Sequence, residues 1–240
     1  MRLRERLNRL PRLLIVTAVE AERQAMLRGL GLGGEAADQL SARAPIVAVA
    51  AGVGPAAAAA TASRMLTIAE LTEFPFTLVV SAGIAGGFAP KAAIGATVLA
   101  RRSIAADLGA DSPDGFFSVD ELGFGSSTVD VDADHLEPLR ISLPEAVVGD
   151  VLTVSTVTGT ADAAAALSIR HPDAVAEAME GFGVASAARL AEIAFAELRT
   201  ISNLIGPRDR ETWRLADALA ALETAAGALP AALLPASPDG

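Results

Sequence analysis

The stretch Leu78-Val-Val-Ser81-Ala-Gly-Ile-Ala-Gly-Gly-Phe88 decides the fold. Leu78–Ala82 is a short, almost wholly apolar run, as expected for a strand buried on both faces. The glycines that follow predict a loop, Gly83–Phe88, where the missing Cβ lets the backbone approach a ligand closely. A tight strand exit with no ligand explains the same residues equally well. A strand covered on both sides needs helices on both sides, and the flanking sequence supplies them.

Upstream, Leu13–Ala18 reads as strand, Glu20–Leu30 as helix closed by Gly31, and Ile46–Ala51 as a second strand. Gly52–Gly54 reads as a turn, and Pro55–Ala69 as a helix with Pro at its favoured first position. Downstream, Ala96–Ala100, Asp150–Val157 and Glu197–Asn203 read as strands, and Ala161–Ile169, Gly183–Phe195 and Asp209–Ala226 as helices. Asp107–Asp130 holds Gly, Pro, Ser and Asp with little periodicity, which predicts a long functional loop or an edge excursion. The alternation predicts an α/β fold around a largely parallel sheet. Residues 1–12, with five Arg, read as a basic leader, 13–228 as a single domain, and 229–240 as a frayed tail.

Composition removes several classes of function. Of 240 residues, 52% are hydrophobic, and 19 basic against 29 acidic side chains leave a net charge of −10. With Lys91 as its one lysine, the chain has no footprint for nucleic acid or anionic lipid. It has no Cys, and His135 and His171 are its only imidazoles, so disulfides, thiolate sites and multi-histidine metal centres are excluded. No metal or organic cofactor is expected. The uncharged run Ala44–Ser63 is broken by Gly52, Gly54 and Pro55, and Leu13–Val19 lacks a cleavage site, so neither a membrane span nor a signal peptide is expected. The expected compartment is the cytoplasm.

In parallel sheets the site lies beyond the carboxyl ends of the strands. Glu20 and Glu22 follow the first strand, where acids also serve simply to complement a helix dipole. Gly52-Val-Gly54 fits a loose dinucleotide fingerprint, but the next strand does not end in the acid that would hold a ribose diol. Glu180 precedes a helix of small residues and is costly to bury without a specific partner. Arg199, Ser202 and Asn203 lie on the last strand, whose end is polar where a site should be. His171 sits at a helix end and reads as a terminus residue.

Taken in order, Ala18-Val-Glu-Ala-Glu22, Ala51-Gly-Val-Gly54, Ser81–Phe88, Ala178-Met-Glu180 and Arg199-Thr-Ile-Ser-Asn203 resemble the purine nucleoside phosphorylase/nucleosidase superfamily. The methylthioadenosine/S-adenosylhomocysteine nucleosidases are its best-known similar members. The run Arg199–Asp209 looks like the futalosine hydrolase branch, which releases hypoxanthine from futalosine in menaquinone biosynthesis. The resemblance implies a three-layer α/β/α sandwich around a central mixed, largely parallel twisted sheet. It implies Glu22 as the water-activating carboxylate, Arg199 as the residue fixing it, and Glu180 with Met179 as the ribose clamp. Ala82, Gly83 and Ile84 would line the substrate, Thr158 would pack on the base, and a homodimer is implied.

Asn203 stands where the adenine-cleaving relatives carry an Asp that protonates N7. An Asn is no general acid, but its NH₂ can donate to N7 or O6, which favours hypoxanthine. Ile84 replaces a serine of those nucleosidases. Futalosine carries an aromatic carboxylate beyond its ribose, for which Arg208, Arg210, Arg101 and Arg102 are candidates. The alternatives are a methylthioadenosine/S-adenosylhomocysteine nucleosidase, a phosphate-dependent nucleoside phosphorylase, and a non-catalytic nucleoside- or NAD-binding protein.

Overall fold

The computed structural model describes residues 11–32 and 44–233. Along the chain run β1 (Leu13–Thr17), α1 (Glu20–Gly29), β2 (Ile46–Ala50), α2 (Pro55–Leu71), β3 (Leu78–Gly87) and β4 (Thr97–Ala105). A hairpin follows, β5 (Gly109–Ser112) and β6 (Gly115–Ser118), then β7 (Thr128–Asp130), α3 (Ala133–Ser142), β8 (Val147–Thr153) and α4 (Ala161–Arg170). The chain continues with β9 (Ala174–Ala178), α5 (Gly181–Leu190), β10 (Ala194–Leu204), a short 3-10 turn at Arg210–Thr212, α6 (Leu215–Ala226) and α7 (Leu229–Leu233).

The main sheet is mixed and mostly parallel, as expected, with the order β10-β4-β8-β9-β3-β1-β2. β3 also pairs with β10, so five of these strands form a closed circuit to which β1 and β2 are appended. The β1–β2, β1–β3, β3–β10, β4–β8 and β8–β9 ladders are parallel, while β4–β10, β3–β9 and β4–β7 are antiparallel. β1 and β9 are buried at every residue, which explains the apolar run of β1; β9 is apolar but for Glu177.

The glycine segment corrects the sequence reading, because β3 runs on through Gly87 instead of ending at Ala82. Small residues are needed there because neighbouring groups press on the strand. A Cβ on Gly87 would collide with the Ala92 carbonyl, and one on Gly83 would lie 2.7 Å from Glu22 Oε1. The Asp107–Asp130 segment is an edge excursion. β7 pairs with β4, and the hairpin is held by Arg170, whose guanidinium lies 4.2 Å from the Phe116 ring centroid.

Other boundaries move for local reasons. The helix predicted over Gly183–Phe195 begins at Gly181 and stops at Leu190, the left-handed Glu192 (φ 55°) turning the chain into β10. α6 starts at Leu215 and not Asp209, because the Asp209 side chain accepts from the Glu211 amide and caps the separate 3-10 turn. β8 lies earlier than expected, and β9 and α3 were absent from the sequence reading. Of the basic leader, residues 1–10 lie outside the described residues. Arg12 is buried, with its Nε donating to Ala44 O at 3.0 Å and its guanidinium 4.5 Å from the Phe76 ring centroid. Of the tail, residues 234–240 lie outside the described residues, whereas Leu229 is fully buried in α7.

Two pairs of alanine-rich helices pack against the sheet, α1 with α6 and α2 with α5. Each pair is close enough to require a glycine. A Cβ on Gly29 would strike Glu223 O, and one on Gly183 would strike the Pro55 carbonyl. Gly183→Ala should therefore push α2 from α5 and cost about 1–3 kcal/mol, as overpacking does. Urea unfolding of the purified variant measures it, and an unchanged midpoint would show that the helices part freely.

Candidate active site

The site forms at an interruption along β3. On one edge of that strand, pairing with β1 ends at Ser81 and pairing with β9 begins only at Gly86. In the interval the Ile84 amide donates to a side chain, Glu22 Oε1, at 2.9 Å. Glu22 is brought there by the first turn of α1, where its other oxygen accepts from the amides of Ala18 (2.9 Å) and Val19 (3.2 Å). Three backbone N–H groups thus fix the buried Glu22 carboxylate. Glu20 instead is exposed and bonds Arg23 and Gln24, the helix-terminus role. Ile84 contributes its amide, and Ala82 and Gly83 are the buried strand residues before it.

The last strand supplies the cation. Arg199 is 1% exposed and pairs in register with Gly83. Its Nε donates to Glu197 Oε1 at 2.9 Å, its Nη1 to Glu180 Oε2 at 3.3 Å, and its Nη2 to Ser81 Oγ at 2.9 Å. It makes no hydrogen bond to Glu22, the partner the resemblance gave it; its direct carboxylate partners are Glu197 and Glu180. Glu22 remains an electrostatic neighbour, for Arg199 Nη1 and Glu22 Oε1 both press on Gly83. Burial opposes the guanidinium charge, yet Glu197, Glu180 and Glu22 together hold its pKa above the usual value.

Glu180 caps the start of α5 and is buried. Its carboxylate accepts from the Met179 amide and, across the molecule, from the Gly54 amide, both at 3.3 Å. That second bond decides the fate of the Gly52-Val-Gly54 fingerprint. The loop amide that a dinucleotide pyrophosphate would need faces a carboxylate, so the glycines serve Glu180.

Glu197 was missed as a site residue. It is fully buried, and its carboxyl fits only because Gly181 has no side chain. Burial pushes its pKa up, against the pull of Arg199. The signal was available, since an acid and an arginine at i and i+2 of a strand face the same way.

Three residues further along β3, Gly86 lies beside Asn203 Nδ2. By strand rise this is roughly 10 Å from Gly83. Here a small cleft opens, lined by Gly86, Thr158, Glu177, Asn203, Arg208 and Trp213 among others. Asn203 is half-buried; its Oδ1 accepts from Ser202 Oγ and its Nδ2 donates to Leu204 O, both at 2.9 Å. Glu177, also missed, is an acid in an otherwise apolar strand. It accepts from the Thr158 amide at 2.8 Å and from the Thr158 hydroxyl. Burial raises its pKa, and the Thr158 bonds act in the opposite direction.

Two candidate arginines are already paired elsewhere, and His171 keeps the helix-terminus place read from the sequence. Arg101 and Arg102 are both held by the buried Asp150, Arg101 also by Asp173 at 2.9 Å. His171 is the C-cap of α4.

The geometry is that of an enclosed carboxylate pair beside a polar cleft, and the comparisons give it a class. Residues 32–236 match the family model of the phosphorylase superfamily. Streptococcus pneumoniae methylthioadenosine/S-adenosylhomocysteine nucleosidase superposes with a TM-score of 0.74 at 18% identity, covering 92% of this chain and 100% of that one. Futalosine hydrolase of Helicobacter pylori superposes at 0.72 with 16% identity, covering 92% and 97%. Streptomyces coelicolor futalosine hydrolase is 48% identical, covering 90% of this chain and 94% of the relative. That of Acidothermus cellulolyticus is 46% identical, covering 91% and 90%. The chain belongs to the phosphorylase superfamily, and within it to the futalosine hydrolase family.

The raised Glu177 pKa has a definite sign. A carboxyl that titrates higher when folded favours folding below the usual Glu range, and that share is lost as pH rises through the raised value. Glu177→Gln removes the titration. Its thermal midpoint should fall less than the parent's between about pH 4 and about pH 8. Parallel declines would show that Glu177 ionises as it does in water.

Proposed function

We propose that the chain hydrolyses the N-glycosidic bond of futalosine, releasing hypoxanthine and dehypoxanthine futalosine, as a cytoplasmic homodimer acting in menaquinone biosynthesis. Residues 13–228 form the catalytic unit in this reading. The observation that carries it is the arrangement around Glu22. The amides of Ala18, Val19 and Ile84 are the backbone donors that could cradle an anion at this end of the site, and one carboxylate accepts from all three. Phosphate would meet Glu22 instead of free donors and be repelled. Water is the acceptor that suits such a place, which favours hydrolysis over phosphorolysis.

The bond between C1′ and the purine breaks through a state with positive charge on the ribose and negative charge on the base. Glu22 takes a proton from the attacking water, whose oxygen bonds C1′. Glu180, held by Arg199 and by the Met179 and Gly54 amides, accepts from the ribose hydroxyls and faces the growing cation. The purine leaves with its electron pair, stabilised by donation from Asn203 to N7 or O6, and is protonated by solvent. Thr158 packs on the base. Among the described residues no helix is long and apolar enough to cross a membrane. Leu108, Phe117, Leu122 and Phe124, exposed on one excursion, offer the apolar surface that a second copy would cover.

Purified protein should release hypoxanthine from futalosine without added phosphate, and far less adenine from methylthioadenosine. Glu22→Gln and Glu180→Gln should each lower kcat by at least about a hundredfold while leaving the fold intact. Strict phosphate dependence, or full turnover in both variants, would overturn the reading. Light scattering tests the dimer.

A further inference from the structure

Between Asn203 and Arg214 the chain leaves β10 and comes back to it. Ile205 N donates to Gly87 O at 3.0 Å and Arg214 N to Ser202 O at 2.8 Å, so both feet of this loop are tied to strands of the site. Gly206, at φ 122°, makes the turn that folds the loop back. The loop carries the one tryptophan of the chain, Trp213, half-buried at the cleft that Asn203 also lines. Arg208 and Arg210 both approach its ring, at 5.5 and 5.9 Å from the centroid.

Many arginines of this chain are tied to acids. In this acidic chain Arg28, Arg101, Arg102, Arg140, Arg199 and Arg214 all pair with carboxylates. Among the described residues neither Arg208 nor Arg210 does so, although Asp209 and Glu211 lie next to them in sequence. Asp209 is turned to the Glu211 amide, which it holds at 3.1 Å. A guanidinium lying over an indole keeps its N–H edge free, and that edge matches a carboxylate in two-point geometry. The indole offers a flat ring something to stack against.

We propose that Trp213 and Arg208, with Arg210 behind them, form a subsite for an aromatic ring bearing a carboxylate. The proposal rests on the futalosine reading and deepens it, since futalosine carries such a group beyond its ribose. Of the four arginines that sequence offered for this task, Asp150 holds two elsewhere and the other two meet at Trp213, with Arg208 on the lining of the cleft itself.

Steady-state hydrolysis of futalosine and of its methyl ester tests the assignment. The parent should prefer the acid by roughly tenfold or more in kcat/KM, through KM, because the ester cannot accept the charged two-point bond. In Arg208→Ala/Arg210→Ala the preference should fall to near one, through a raised KM for the acid. Arg208→Lys should restore part of it. Trp213→Leu should raise KM for acid and ester alike. Equal use of acid and ester by the parent, or an undiminished preference in the double variant, overturns the subsite alone. A parent that cleaves neither compound overturns the futalosine reading, and the subsite with it.

Discussion

One buried guanidinium organises this molecule. Arg199 is almost without solvent, and taking an unpaired charge that deep would cost several kcal/mol. Three acids converge around it, Glu197 and Glu180 by direct hydrogen bonds and Glu22 by charge alone. Each approach forbids a side chain somewhere else. Gly83 makes room for Glu22 and Arg199, and Gly181 for Glu197. Three carboxyls thus face one guanidinium. In the proposed reaction this excess of acids faces the positive charge that glycosidic cleavage creates on the ribose. Such a field is set before the substrate arrives, so it need not reorganise as the bond breaks.

The same cluster explains what kind of acceptor the site can use. Backbone amides at the start of a helix are ready donors for anions. Here α1 folds one of its own acids back onto its first turn, and the β3 edge left open between β1 and β9 adds a third amide to that acid. The carboxylate therefore occupies the donors, and its remaining lone-pair directions are available to a neutral partner. Water fits that description and phosphate does not. The Gly54 amide follows the same logic on the opposite side, where it serves Glu180 and not a dinucleotide.

Much of this was legible in the chain and some was not, for physical reasons. Apolar runs such as Leu13–Thr17 and Leu78–Ala82 announce buried strands because both of their faces are covered. Glu180 stood out because it borders a small, apolar segment that tolerates charge poorly, and Glu22 through its place after the first strand and the family resemblance. Gly83–Gly87 misled because glycine usually punctuates strands, whereas here a ladder to β10 holds the segment extended while side chains crowd it. β9 is five residues long and its acid, Glu177, interrupts the apolar pattern that would have marked it. Glu197 was read as part of a strand and not as a partner of Arg199, although the period of two puts both on one face.

Composition, finally, is tied to the site through packing. The helices are rich in alanine, and α2 and α5 approach until Gly183 touches the backbone of Pro55. Pro55 is the first residue of α2, so this contact sets where Gly54 lies, and Gly54 is the residue whose amide reaches Glu180. Larger side chains between these helices would move the turn outward by more than a hydrogen bond allows. Small residues in α5 therefore help to set the geometry around Glu180. The light, aromatic-poor composition of the chain follows in part from holding one loop amide against one carboxylate.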